Sequence, residues 1–141
     1  MNLYLDADVL VPLFRDELAT PSIQRLVRGS DQVLFVSNFA AGEVGSAFAR
    51  LARMKLLTDD DALQRLAAFD HWRAVATNKI ACDDFDIGNA ALLVRRFDLA
   101  VRLPDAVHLA ICVRHTLALA TLDRQLADAA KSIGSQVVVP A

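Results

Sequence analysis

Four carboxylates stand where chemistry could be built. Asp6 closes the first apolar run, and Glu43 falls early in a predicted helix. Asp105 belongs to Pro104-Asp105-Ala106-Val107-His108-Leu109-Ala110, and Asp123 to Thr121-Leu122-Asp123-Arg124-Gln125-Leu126. Each sits where a strand ends or a helix begins. Four negative charges within a few ångströms of one another are unfavourable unless a cation joins them. Such a quartet suits a hard divalent ion, because Mg2+ and Mn2+ prefer oxygen ligands and keep several waters. A bound ion can position a phosphodiester, polarise its phosphoryl oxygen and acidify a water, which neighbouring acids then orient for in-line attack. The pattern therefore predicts a metal-dependent hydrolase site. No His or Cys cluster offers a softer site, and no serine–histidine pair or activated cysteine calls for a covalent intermediate.

The elements that must bring these acids together come from 141 residues, the length of one domain, 1–141. The 55% hydrophobic content is ample for a core. Cys82 and Cys112 form no CxxC pair and read as core thiols. Asp6 and Asp8 interrupt the N-terminal apolar stretch, which excludes a signal peptide. Every apolar run falls far short of the ~20 residues that span a bilayer. The expected compartment is the cytoplasm. Fifteen Lys and Arg against 17 Asp and Glu give a formal net charge of −2, unlike a dedicated nucleic-acid binder. Arg50, Arg53 and Lys55 nevertheless cluster at one helix end, and Arg95, Arg96 and Arg102 form a second group.

Strands are predicted at 2–5, 32–36, 78–82, 117–121 and 136–139. Between them fall a helix over 7–14 bent at Pro12, and a second opening at Thr20-Pro21-Ser22, with Thr20 as its cap. Helices at 38–54 and 62–75 follow, the latter begun by a capping box at Thr58 and the acids at 59–61. A helix capped by Asp83 or Asp84 runs to about Phe97, another covers 105–114, and Asp123 opens the last, which Gly134 ends. Asp83, Asp84 and Asp86 read as capping and surface charge. His108, three positions after Asp105, shares its helix face and reads as a packed or hydrogen-bonded residue rather than a ligand. Alternating strands and helices predict parallel pairing with helices on both faces. Ligands then gather outside the carboxyl ends of the strands, where the acids lie.

Leu3-Tyr4-Leu5-Asp6 with Leu10-Val11-Pro12-Leu13-Phe14, Val36-Ser37 with Glu43-Val44, Asp105 to Ala110, and Thr121-Leu122-Asp123 follow one another over the full length. In these the whole chain resembles the PIN domain family, and within it the VapC-type toxins of toxin–antitoxin pairs. The resemblance implies an α/β/α sandwich around a mostly parallel sheet and a Mg2+- or Mn2+-dependent endoribonuclease. Carried over by position, Asp6, Glu43 and Asp105 would be the main metal-site acids. Asp123 would complete the quartet, directly or through water, and Thr121 would orient a carboxylate or the attacking water. The resemblance further implies an RNA substrate, a cognate antitoxin over the active-site groove, and a homodimer.

One position departs from that pattern. Where the family usually has a small hydroxyl residue the chain has Asp8, either a further direct or outer-sphere ligand or a helix N-cap. Asp6-Ala7-Asp8 also fits a haloacid-dehalogenase-like phosphatase with Asp6 as nucleophile and Asp8 as acid/base, Ser37 following strand two. That alternative leaves Glu43, Asp105 and Asp123 without a role. A phospho-receiver needs a lysine after its last strand, where the chain offers only Pro140-Ala141. A PIN fold kept as a non-catalytic binding module would tolerate substitution of its acids, and these are intact.

Overall fold

The computed structural model describes residues 1–29 and 31–141. Five strands, β1 (Asn2–Leu5), β2 (Val33–Ser37), β3 (Asn78–Ile80), β4 (Ala118–Ala120) and β5 (Val137–Val138), form one sheet in the order β3-β2-β1-β4-β5. Every pairing is parallel. Seven α-helices flank it: α1 (Ala7–Leu10), α2 (Thr20–Val27), α3 (Asn38–Arg53), α4 (Asp59–Ala76), α5 (Asp84–Val94), α6 (Leu103–His115) and α7 (Arg124–Ser132).

Strand side chains alternate between the two faces. Leu3, Leu5, Ala118 and Ala120 join Val9, Ile23, Val44, Phe48 and Phe69 in one core, beneath α1 to α4. Tyr4 and Leu119 point the other way, into a core with Ala106, Leu109, Ile111, Leu126 and Ala130 of α6 and α7. The three-layer α/β/α sandwich follows, as the alternating pattern predicts. Among the described residues, no helix is long and apolar enough to cross a membrane.

Local chemistry sets the element ends. Ser37 closes β2 and caps α3, its hydroxyl accepting the Ala40 amide at 2.9 Å. Thr58 caps α4 through the Asp61 amide. Asp83 and Asp86 cap each other's amides at the start of α5. Gly134, at φ +80°, ends the α7 region in a conformation side chains resist.

Several expectations are corrected. The helix foreseen over 7–14 divides into α1 and a 3-10 turn, Val11–Leu13, because Pro12 has no amide for an α-helical bond. Thr20 does not cap α2. It is the first helical residue, and its hydroxyl donates to the Pro12 carbonyl at 2.7 Å and accepts the Glu17 amide, closing the preceding loop. α5 stops at Val94, short of Phe97, and a 3-10 turn, Phe97–Leu99, follows. Asp86 is not surface charge: it is fully buried, gripped by Arg114 through two bonds of 2.8 Å.

Candidate metal centre

The sheet register aligns Leu5 with Ala120 and Ser37 with Ile80, and the Asp6 amide extends the ladder to the Ala120 carbonyl. The carboxyl ends of β1, β2 and β4 are therefore adjacent, and the chain leaves each into a helix. Asp6 is the N-cap residue of α1, but its side chain makes no capping bond and faces the site. Its Oδ2 accepts the Thr121 hydroxyl at 2.8 Å, and its Oδ1 lies 3.5 Å from His108 Nε2. Glu43, a turn and a half into α3, meets the same Nε2 through Oε1 at 2.5 Å. Ligand atoms of Asp6, Glu43 and His108 all lie within 4.8 Å of one another.

The remaining predicted residues surround that trio. Asp105 stands one turn before His108 on α6, half-buried. Burial, with the charges of Asp123, Asp6 and Glu43, raises its pKa against the pull of His108. Asp123 caps α7, its Oδ1 accepting the Gln125 and Leu126 amides, so part of its oxygen capacity is committed. Thr121 is fully buried, donates to Asp6 and accepts the Asp123 amide at 3.0 Å, joining two of the acids. Asp8 is not the N-cap that one reading made it. It lies inside α1, where its Oδ1 accepts the Leu122 amide at 3.1 Å and its Oδ2 sits 3.3 Å from Thr121 Oγ1. Burial first, then the charge of Asp6, pushes its carboxyl up to about 7 against the Leu122 and Thr121 bonds.

His108 and Tyr4 belong to the arrangement, although neither was read from the sequence as a site residue. Both are buried, and the Tyr4 hydroxyl lies 2.5 Å from His108 Nδ1 and 2.7 Å from Ser37 Oγ. Burial alone would lower the His108 pKa, but Glu43, Asp6 and Asp105 outweigh it and raise the value. The helical offset of three between Asp105 and His108 was the available signal for the histidine. Ser37, which the phosphatase alternative would place at its site, is fully buried and committed to Tyr4 and the α3 cap.

The donor set suits a hard divalent cation. Asp6, Glu43, Asp105 and Asp123 offer carboxylate oxygens, and the Asp105 pKa is raised by burial first and then by the charges of Asp123, Asp6 and Glu43.

A parallel α/β/α sandwich that gathers acids at the carboxyl ends of its central strands is the class this geometry defines. The PIN domain family model matches residues 3–132, and the chain belongs to that family. Its fold is shared by VapBC2 of Rickettsia felis, solved bound to a DNA fragment from its promoter (TM-score 0.69, 10% identity, 99% of this chain and 98% of that one). VapC20 of Mycobacterium tuberculosis, a sarcin-ricin loop cleaving toxin, is similar at TM-score 0.71, with 17% identity over 90% of this chain and 94% of its own. A toxin–antitoxin complex from Klebsiella pneumoniae gives TM-score 0.67 and 19% identity over 99% and 98%. At such identities the likeness is one of fold. No curated protein matches the sequence.

Proposed function

We propose that this protein is a metal-dependent endoribonuclease and the toxin of a VapBC-type toxin–antitoxin pair. One observation carries the reading: in a PIN fold, Asp6 and Glu43 face each other across a gap small enough for one cation, with Asp105 and Asp123 in electrostatic reach. Asp6, Glu43 and Asp105 would hold Mg2+ or Mn2+, and Asp123 would complete the set with the oxygen its cap leaves free. The ion, when bound, would polarise the phosphodiester and stabilise charge developing on it. Thr121 fixes the rotamer of Asp6, keeping one carboxylate edge toward the site. Asp123, whose amide bonds the same hydroxyl, is held in register with it. The carboxylates not engaged by the ion would orient a water for in-line attack.

Support for the toxin role comes from solved structures that share the fold and are described as a toxin or a toxin–antitoxin complex. The proposal extends to one domain over 1–141, a cytoplasmic homodimer, and a cognate antitoxin that covers the acid groove. Arg50, Arg53 and Lys55 are exposed basic residues at the C-terminal end of α3 and just beyond it.

Incubating the protein with RNA and Mn2+ or Mg2+, then mapping new ends, tests the activity. Cleavage should stop with chelator. Asp6→Asn and Asp105→Asn should each reduce it at least ~10^3-fold while the far-ultraviolet circular dichroism is unchanged. Undiminished cleavage by both variants would refute the assignment.

A further inference from the structure

Tyr4 lies two residues before Asp6 on the central strand and is fully buried. Its hydroxyl meets Ser37 Oγ on one side and His108 Nδ1 on the other, at 2.7 and 2.5 Å. Across the imidazole, Nε2 lies 2.5 Å from Glu43 Oε1. Ser37, Tyr4, His108 and Glu43 thus form one unbroken chain of three hydrogen bonds. It begins at the cap of α3 and ends on an acid of the same helix.

For the neutral ring, the direction of those bonds is fixed by counting protons. Two hydroxyls and one neutral imidazole supply three protons for three contacts. If Ser37 donates to Tyr4, Tyr4 to Nδ1, and Nε2–H to Glu43, every proton has an acceptor. Ser37 Oγ meanwhile keeps a lone pair for the Ala40 amide. If the chain runs the other way, Nδ1–H donates to Tyr4 and Tyr4 donates to Ser37. The Ser37 proton then has no acceptor among the described residues. The bare Nε2 lone pair also faces the Glu43 carboxylate with no proton between them. Buried polar groups are rarely left in that state.

We propose that His108 is a positioning residue and not a ligand of the cation. Tyr4, oriented by Ser37, holds the ring as the Nε2–H tautomer, and that N–H holds Glu43 in place beside Asp6. The proximity of His108 to both acids otherwise makes it a third potential ligand, which would require the opposite tautomer. The proposal rests on the metal-site reading above, because it assigns a role beside the ion.

The tautomer is read directly by long-range 15N–1H correlation on 15N-labelled protein without metal, at a pH above the titration of His108. The expected pattern is a protonated Nε2 and an unprotonated Nδ1 that shifts when Tyr4 is replaced by Phe. A protonated Nδ1 overturns the proposal. Adding diamagnetic Mg2+ should leave the Nε2 proton in place, and its loss overturns the proposal as well. Mn2+ affinity, followed by the electron paramagnetic resonance signal of the free ion, adds a second readout. Tyr4→Phe and His108→Ala should each weaken binding ~10–100-fold, the range for residues that orient metal ligands. His108→Gln, which restores an N–H toward Glu43, should stay within about threefold of wild type, whereas a loss as large as that of His108→Ala counts against the positioning role. Absence of Mn2+ binding by wild type would defeat the metal-site reading, and the tautomer measurement would still decide the hydrogen-bond assignment.

Discussion

At Asp8 a carboxylate accepts the Leu122 amide on one oxygen and sits 3.3 Å from the Thr121 hydroxyl on the other. That hydroxyl has one proton, and at 2.8 Å it belongs to Asp6. The long Thr121 contact and the Leu122 bond only partly offset burial and the charge of Asp6, which together push the Asp8 carboxyl up to about 7. Asp105 and His108 also bind protons more tightly in the folded chain. The sign follows for all three. Each folded pKa lies above its unfolded value, so the folded state holds more protons across the window and stability falls as pH rises. For Asp8 the loss starts above the ordinary carboxylate range and is complete once pH passes about 7. For His108 the favourable contribution is present below the ordinary imidazole value and disappears as pH rises through the raised one. In Asp8→Asn the amide can donate to Thr121 Oγ1 while its oxygen keeps the Leu122 bond. The metal-free variant should gain on the order of 1 kcal/mol at pH 8, about 3–5 °C in melting temperature, and little at pH 5. Thermal scans at the two pH values would show it, and a variant no more stable than wild type at pH 8 would contradict it. The four acids were legible because strand and helix alternation alone puts the relevant ends on one side. Asp8 was legible as an oddity only, since its partners are 113 and 114 positions away. His108 was legible as a hydrogen-bonded residue on the Asp105 face, but its bond to Tyr4 was not, because the two are 104 positions apart.

Elements were readable wherever their signals are local. Thr58, Asp83 and Asp123, each read as a helix start from the sequence, satisfy amides within three residues, as does Ser37, whose cap only the structure shows. Errors arose where a side chain found a better partner elsewhere. Thr20 reaches back to Pro12, and Asp86 turns into the core toward Arg114, 28 positions on. The second pair ties α5 to α6, the helix that carries Asp105 and His108. Arg114 also donates to the Ala81 carbonyl at the end of β3, so one guanidinium joins a strand end to two helices. The arginine is partly exposed, but Asp86 is not. Burial raises the Asp86 pKa and the Arg114 bonds more than reverse it, leaving it low. Arg114→Ala would leave that carboxylate buried without its partner. Urea unfolding should report a loss of about 2–4 kcal/mol, growing less severe below the ordinary carboxylate pKa as Asp86 takes up a proton. A change under 1 kcal/mol would show the pair to be dispensable.

On the scale of the whole molecule, the proposed cation site would set stability against binding. At the proposed site, carboxylates that repel one another without a cation would become its ligands, and protons would compete with it for the same oxygens. Millimolar Mn2+ should therefore raise the melting temperature of wild type, more at pH 8 than at pH 6, and have little effect on Asp6→Asn. Differential scanning fluorimetry at both pH values tests this, and equal shifts in wild type and variant would point to a different binding place.

The bonds that draw the pocket together join residues far apart in sequence. Asp6 and Thr121 are separated by 115 positions, Tyr4 and His108 by 104, and Glu43 and His108 by 65. During synthesis, β1 emerges from the ribosome long before β4 can pair beside it, and Asp6 waits 115 positions for Thr121. Fragments from stalled translation or trimming before Thr121 cannot assemble the acids, however well their first helices fold. Whatever this pocket does, a polypeptide that stops short of Asp123 cannot do it.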